Sequence, residues 1–259
     1  MQVDHSKIIQ DWLETKLGAA LLQQECRIVE EILDGAFGEQ FLQLGLWGDK
    51  RTFARFTRTQ HCSIISKPIT IQPYSSKPCV IGHLHQLPIE SDSIDVILLP
   101  HSLDYSDRPH AILREVDRVL RRDGRVIILG FKLGGLWGLR RLIPGAGIPP
   151  GANYLISERR MKDWLQLLDM RIDRSLRYFF RLPLLINKTY GKNKWELRGQ
   201  TWWPELSACY MLSAQKRVST LTHVRSLWRR KPQVVAGLAG SQTRVSRIHF
   251  QESKIDPVN

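Results

Sequence analysis

The middle of the chain places its apolar and polar residues in the pattern of two buried strands joined by a helix. Residues 93–99 leave a polar turn and then run apolar, as a strand covered on both faces does. Residues 109–120 carry apolar side chains at helical spacing, and residues 125–129 form a second apolar run. A strand, a crossover helix and a second buried strand are typical of parallel neighbours in one sheet. The pattern therefore predicts an α/β fold.

The sequence also predicts where this central helix begins and ends. Asp107 is the candidate N-cap, and Pro109 lies in the first turn, where a missing N–H is tolerated. Residues 121–124 place two arginines in the last turn and a glycine at the stop, so they mark the C-terminal end.

Hydrophobic spacing predicts further elements on both sides of the central block. Residues 6–37 indicate one or two helices, with Ser6 as candidate N-cap and Gly18 as candidate joint. Another helix is expected from its N-cap at Ser157 to Met170. Four shorter apolar runs predict strands, at residues 61–66, 80–82, 175–180 and 208–214.

Composition adds an unusual positive charge to an otherwise ordinary globular chain of 259 residues. The formal net charge is +13, and residues 216–259 hold nine Lys and Arg against two acids, a net of +7. Such a balance favours contact with nucleic acid or another anion. Because apolar residues are few after residue 232, residues 218–259 are expected to form a flexible basic tail.

The compartment expected from the sequence is the cytoplasm. No apolar run approaches the roughly 20 residues that span a bilayer, and the first residues lack the order of a signal peptide. Four scattered cysteines without C-x-x-C spacing indicate reduced thiols rather than a disulfide framework or a zinc site. No metal site is predicted.

Three short motifs in the central block carry a family resemblance: Leu87-Pro88, the acidic turn at residues 92–95, and the helix segment at residues 114–120. In this order they resemble the class I S-adenosylmethionine-dependent methyltransferases, and more narrowly their type 11 group. The resemblance implies a doubly wound, Rossmann-like sheet of seven mostly parallel strands with an antiparallel last strand. It also implies S-adenosylmethionine as cofactor, a small-molecule acceptor, and a domain at residues 39–217 behind a helical segment at 1–38.

The family's first strand and glycine-rich turn, acidic-x-G-x-G-x-G, fall at residues 41–49. Gln43 stands at the acidic position, Gly45 is retained and Trp47 replaces the second glycine, so this motif is degenerate. Position by position, the resemblance implies nine cofactor-binding residues: Gln43, Leu44, Gly45, Trp47, Ser66, His83, Leu84, Pro100 and His101.

His101 is the candidate catalytic residue. It follows the strand at 93–99, and an unperturbed imidazole with a pKa of about 6.5 can act as a general base near neutral pH. The alternative is a histidine that lines the cleft and contacts cofactor through shape and hydrogen bonds.

Two other functions remain open. Gln43, Ser66 and His83 stand where the family has acids that contact the cofactor, which favours a non-catalytic binding or scaffold protein with the same fold. The basic tail favours methyl transfer to RNA. Paired glycines and arginines at residues 132–151 predict a mobile lid or substrate loop, and residues 184–203 are expected to add to the substrate side.

Overall fold

The computed structural model of the protein describes residues 5–49, 52–66, 79–132, 151–152, 154–180 and 202–217. Most of the predicted loop at 132–151, nearly all of residues 184–203 and the whole tail at 218–259 lie outside these residues. The boundaries predicted between segment, domain and tail stay predictions.

Seven strands form one sheet in the order β3-β2-β1-β4-β5-β7-β6. Neighbouring strands from β3 to β5 are parallel, whereas β7 runs antiparallel to both β5 and β6. The predicted seven-stranded, mostly parallel α/β sheet with an antiparallel last strand is confirmed. The strands are β1 Gln40–Leu44, β2 His61–Ser66, β3 Cys79–Ile81, β4 Ile94–Pro100, β5 Leu120–Phe131, β6 Met170–Tyr178 and β7 Cys209–Lys216.

Helices cover both faces of this sheet. On one face α2 packs through Leu21 and Val29 into a core cluster with strand residues such as Leu98. On the other face, Val116 of α3 and Met161 of α4 belong to a second core cluster. The helices are α1 His5–Glu14, α2 Lys16–Leu33, α3 Pro109–Val119 and α4 Glu158–Leu167, and short 3-10 turns lie at Ala54–Phe56 and Pro204–Leu206.

The joint between α1 and α2 lies at Thr15, so the prediction of a joint at Gly18 is wrong. The Thr15 hydroxyl accepts a hydrogen bond from the Gly18 N–H at 3.2 Å, which makes Thr15 the N-cap of α2. Gly18 lies inside that first turn, where a Cβ would be 2.3 Å from the Trp12 carbonyl oxygen. Glycine is therefore needed for the close approach of the two helices, three residues beyond the joint.

The predicted boundaries of α3 need two corrections. The N-cap is Arg108 rather than Asp107, although Pro109 does lie in the first turn. The helix ends at Val119, and residues 121–124 belong to β5 instead of a helix terminus. Asp123, with φ of 62°, adopts the left-handed conformation there. Gly124 is needed for space, because a Cβ would lie 2.8 Å from the Arg121 carbonyl oxygen.

The boundaries of α4 are partly as predicted. Ser157 is its N-cap and accepts a hydrogen bond from the Arg160 N–H. The helix ends at Leu167, and Met170 already begins β6.

The motif residues of α3 hold the preceding loop in place. The Glu115 carboxylate accepts a hydrogen bond from the Leu87 N–H at 2.9 Å. Arg118 donates to Glu115 and to the carbonyl oxygens of Leu87 and Ile89, at 2.8, 3.0 and 2.9 Å. The hydrogen bond from Arg118 holds the pKa of Glu115 below its usual value. These residues, which carry much of the family resemblance, therefore have a structural role: they fix the loop that contains Leu87 and Ile89 against α3.

Asp95, the last residue of the acidic turn, anchors the start of β1. Its carboxylate accepts hydrogen bonds from the N–H groups of Glu39 and Gln40, at 2.8 and 2.9 Å, and from Arg121 at 3.0 Å. Burial alone would raise the pKa of Asp95, but these bonds lower it. The turn between α2 and β1 is thus fixed to the central block.

Candidate functional site

The predicted site residues all lie at or just beyond the carboxyl ends of four adjacent parallel strands. Backbone hydrogen bonds connect these ends: Gly45 N–H donates to Ile65 O at 2.7 Å, and Gly82 N–H donates to Ser66 O at 3.0 Å. The order of the strands reverses between β1 and β4, because β2 and β3 continue to one side and β5 to the other. Open α/β sheets bind ligands at such a switch point.

The turn after β1 requires a glycine at position 45. Gly45 has φ of 91°, a conformation that residues with a side chain rarely adopt. A Cβ there would lie 2.3 Å from Oγ of Ser102. The Ser102 hydroxyl in turn donates a hydrogen bond to the Leu44 carbonyl oxygen. The loops after β1 and β4 therefore meet with no room for another side chain between them.

Gln43 presents a buried acceptor beside this turn. Its amide nitrogen donates to the Gly45 carbonyl oxygen at 2.9 Å. Its amide oxygen is buried and has no hydrogen-bond partner among the described residues. A buried acceptor without a donor costs about 1–3 kcal/mol. The site can therefore gain stability from a ligand that brings an N–H or O–H group to this oxygen.

Trp47 is buried between α2 and the sheet, with 1% of its surface exposed. Its indole N–H donates to Oε2 of Glu25 at 2.7 Å. The indole ring also contacts the rings of Trp12, His101, Tyr105 and Phe131. The residue that replaces the family's second glycine thus belongs to the core cluster beneath α2.

His101 is fully buried at the end of β4 and has a left-handed backbone, with φ of 55°. Its Nε2 lies 2.7 Å from Oε1 of Glu25, and its Nδ1 lies 3.3 Å from Oδ2 of Asp104. The ring stacks on Phe131, with 4.0 Å between centroids. Since carboxylates face both nitrogens, the imidazole is placed to be doubly protonated.

The electrostatics support this protonation state. Burial would lower the pKa of His101, but the Glu25 charge and the hydrogen bonds to Asp104 and Glu25 raise it to about 9. An imidazolium has no lone pair that could accept a proton. At neutral pH this geometry therefore does not support the predicted role of His101 as a general base.

Glu25 is the central residue that the sequence analysis missed. Its carboxylate is fully buried and accepts hydrogen bonds from Trp47, from His101 and from the Tyr178 hydroxyl at 3.0 Å. The available signal was its spacing, because Glu25 falls at a helical interval from Leu21 and Val29 on the core face of α2. An acid at such a position needs buried partners.

Asp104 was also missed. Its carboxylate faces His101 and accepts a hydrogen bond from the Phe131 N–H at 3.0 Å. Burial raises the pKa of Asp104, and the contact with His101 opposes that rise. Burial likewise raises the pKa of Tyr178, as does the Glu25 charge. One buried hydrogen-bonded network therefore contains Glu25, Trp47, His101, Asp104 and Tyr178.

The remaining predicted residues have different surroundings. Ser66 is buried at the end of β2, whereas His83 is exposed after β3 and its ring lies 5.3 Å from that of His85. Leu84 is buried in the core cluster on the α3 face, and Pro100 is buried as the last residue of β4. Their shared location at one edge of the sheet fits the prediction, and their roles stay predictions.

Among the described residues, no group of three or more His, Cys, Asp or Glu side chains is arranged to hold a metal ion. None of the helices in this part of the chain is long and apolar enough to cross a membrane.

Residues 63–128 match the family model of a methyltransferase domain, the type 11 family. A segment of 137 residues is 37% identical to YafS of Escherichia coli (strain K12), which is described as uncharacterized. The match covers 52% of this chain and 54% of YafS, so it spans about half the length of that relative.

Solved structures share the fold at low sequence identity. A S-adenosylmethionine-dependent methyltransferase of Thermotoga maritima is 14% identical, with a TM-score of 0.57 over 82% of this chain and 99% of that one. Geranyl diphosphate C-methyltransferase of Streptomyces coelicolor A3(2), solved with Mg²⁺, geranyl diphosphate and S-adenosylhomocysteine, is 12% identical. Its TM-score is 0.50 over 76% of this chain and 79% of that one. The chain has the class I methyltransferase fold, and the match to the methyltransferase domain model covers residues 63–128.

Proposed function

We propose that this protein is an S-adenosylmethionine-dependent methyltransferase with a small-molecule acceptor. The observation that carries the proposal is the arrangement at the β1 and β4 ends. There the buried Gln43 amide oxygen has no donor within the described residues, next to a turn in which Gly45 packs against Ser102. The family match and a fold neighbour that binds S-adenosylhomocysteine and geranyl diphosphate support the same function.

The residues at this edge fit the cofactor in chemical type. Gly45, with its positive φ, forms the turn after β1 at this edge, beside which the amino-acid end of a ligand can lie. The Gln43 oxygen is an acceptor for a ligand amino group, and the Ser66 hydroxyl can exchange a hydrogen bond with a ribose hydroxyl. Leu44, Leu84 and Pro100 add apolar or backbone contacts. When bound, S-adenosylmethionine supplies an electrophilic methyl group on a sulfonium.

Catalysis in this proposal depends on position rather than on a protein base. The His101 imidazolium holds its protons between Glu25 and Asp104, so it does not accept one from the acceptor near neutral pH. The rings of Trp47, His101 and Phe131 pack against one another and exclude water from this corner. Alignment and exclusion of water are the contributions that methyl transfer needs from a protein.

We favour a small molecule over RNA because more than half of the excess positive charge, +7 of +13, lies in residues 216–259. The rest of the chain, which holds the candidate site, therefore carries less than half of the charge that would attract RNA. Methyl transfer to RNA is the second candidate, and this same basic segment supports it. We place the activity in the cytoplasm, in agreement with Cys26, which forms no disulfide.

Calorimetric titration with S-adenosylmethionine and S-adenosylhomocysteine tests the cofactor. We expect saturable heat with both ligands, and tighter binding by Ser66→Asp, which restores an acceptor for ribose hydroxyls at the end of β2. Ser66→Asn, of the same size without the charge, is the matched control and should bind no more tightly than the wild type. Absence of heat with either ligand at millimolar concentration would overturn the proposal. Gain of affinity is informative because damage to the fold cannot produce it.

A further inference from the structure

We propose that Glu25 is a positioning residue of the cofactor site, whose carboxylate holds the Trp47 indole and the His101 ring in place at the carboxyl edge of the sheet. The inference rests on the proposed function and deepens it. It concerns a helix that precedes residues 63–128, which match the methyltransferase domain model.

Glu25 connects four separate parts of the chain. From α2 it accepts hydrogen bonds from the turn after β1 through Trp47, from the end of β4 through His101, and from β6 through Tyr178. The donor–acceptor distances are 2.7, 2.7 and 3.0 Å, and the carboxylate is fully buried. A buried carboxylate with three donors is fixed in place, and it fixes its donors.

Two of those donors, Trp47 and His101, are themselves among the predicted cofactor contacts. Trp47 lies two residues after Gly45, and His101 precedes Ser102, whose Oγ closes over Gly45. The rings of Trp47 and His101 lie 4.3 Å apart between centroids. A cation against an aromatic face gains a further attraction in a dry site. Movement of Glu25 would therefore shift both loops that border Gly45.

The charge of Glu25 also sets the protonation state of His101. The groups that face or adjoin this ring are Glu25 from α2 and Asp104 from its own loop, with Tyr105, Tyr178 and Cys209 nearby. Burial raises the pKa of both tyrosines, so they stay neutral. With Glu25 uncharged, only Asp104 still opposes the effect of burial, so the pKa of His101 falls.

The test compares Glu25→Gln with Glu30→Gln, a matched change on the exposed side of the same helix. In the ligand-free proteins, ¹⁵N-histidine spectra follow His101, identified by the signal lost in His101→Gln. We expect its titration midpoint near the wild-type value of about 9 in Glu30→Gln, and a clear fall in Glu25→Gln. An unchanged midpoint in Glu25→Gln overturns the inference.

Calorimetry with S-adenosylhomocysteine then measures how much Glu25 contributes to cofactor affinity. Near neutral pH, Glu25→Gln should weaken binding about 5- to 100-fold, and this ratio should shrink as the pH rises through about 9, where wild-type His101 also loses its proton. Titration of the ligand's own amino group affects every variant equally and cancels in the ratio. Equal affinities at neutral pH, or a ratio that stays constant with pH, contradict the positioning role.

Trp47→Phe provides a second variant that keeps the Glu25 charge. It removes the indole donor and part of the buried ring but leaves the Glu25 carboxylate beside His101, so it should weaken binding while the His101 midpoint stays at about 9. Wild-type affinity in Trp47→Phe counts against the inference. If the wild type gives no heat, the proposed function fails. If the wild type binds and Glu25→Gln binds equally well, the proposed function stands and only the role of Glu25 is excluded.

Discussion

Gly45 and Ser102 occupy one shared space: a Cβ on Gly45 would lie 2.3 Å from the Ser102 hydroxyl oxygen. The two residues belong to different loops, one after β1 and one after β4. Ser102 also donates its hydroxyl proton to the carbonyl oxygen of Leu44. This contact explains why position 45 of the degenerate motif needs a glycine.

Gly45→Ala should lower the free energy of unfolding by about 2–4 kcal/mol, because it adds backbone strain at φ of 91° to a steric clash. Ser102→Ala in the same chain should recover about 1 kcal/mol of that loss by removing the clashing oxygen. Urea denaturation of the single and double variants measures both effects. Gly35→Ala is the control, since a Cβ there meets nothing closer than 3.9 Å. Equal losses in Gly45→Ala and Gly35→Ala would refute the packing argument.

Arg118→Met should destabilise the protein by about 1–2 kcal/mol, because the Glu115 carboxylate and two carbonyl oxygens lose a donor. The effect is modest because the arginine is partly exposed. Arg114→Met, an exposed change on the same helix, should stay within about 0.5 kcal/mol of the wild type. Chemical denaturation decides, and indistinguishable midpoints for the two variants would count against a structural role for the motif.

Glu158 should make the protein sensitive to acid. Burial would raise its pKa, but the contacts with Lys162, Arg177 and Ser175 lower it from 4.5 to about 2. A lowered pKa contributes stability that is complete above pH 4.5 and is lost as the pH falls toward about 2. We expect Glu158→Gln to be less stable at neutral pH by about 1–3 kcal/mol. Its difference from the wild type should close on acidification, and a constant difference would contradict this assignment.

His101 should have the opposite dependence on pH. Its pKa rises from 6.5 to about 9 in the folded protein, so the stability it contributes is complete below pH 6.5 and is lost as the pH rises through about 9. Denaturation series for the wild type and His101→Gln should therefore converge across this window. Curves that stay parallel from pH 6.5 to about 9 would show that the ring is not held as an imidazolium.

The sequence predicted the sheet well because buried parallel strands produce continuous apolar runs. The second strand was placed at residues 61–66, as β2 is observed. The predicted C-terminal end of α3 is wrong because Arg121, Arg122 and Gly124 resemble the last turn and stop of a helix. In the structure the chain is extended from Leu120, which pairs with Ile94, and the register shifts before Val96 pairs with Arg125. Strand pairing of this kind is a long-range contact that local patterns do not encode.

The sequence predicts only the part of the candidate site that lies at the ends of the strands. Gly45 and His101 were identified because they follow apolar runs at positions that the resemblance marks. Glu25 was not identified, because a single acid among the apolar residues of a helix does not reveal its partners. Those partners lie 22, 76 and 153 positions away in the chain, at Trp47, His101 and Tyr178. Only the folded topology brings them to one carboxylate.

The measurement that tests methyl transfer most directly is the release of S-adenosylhomocysteine from methyl-labelled S-adenosylmethionine. The purified protein is incubated with a small-molecule extract, with RNA, or with neither, and product and label are followed by mass spectrometry. We expect S-adenosylhomocysteine to form in step with the appearance of label in the small-molecule fraction. Label confined to RNA would contradict the proposed acceptor, and cofactor binding without turnover in any fraction would indicate a binding protein with a methyltransferase fold.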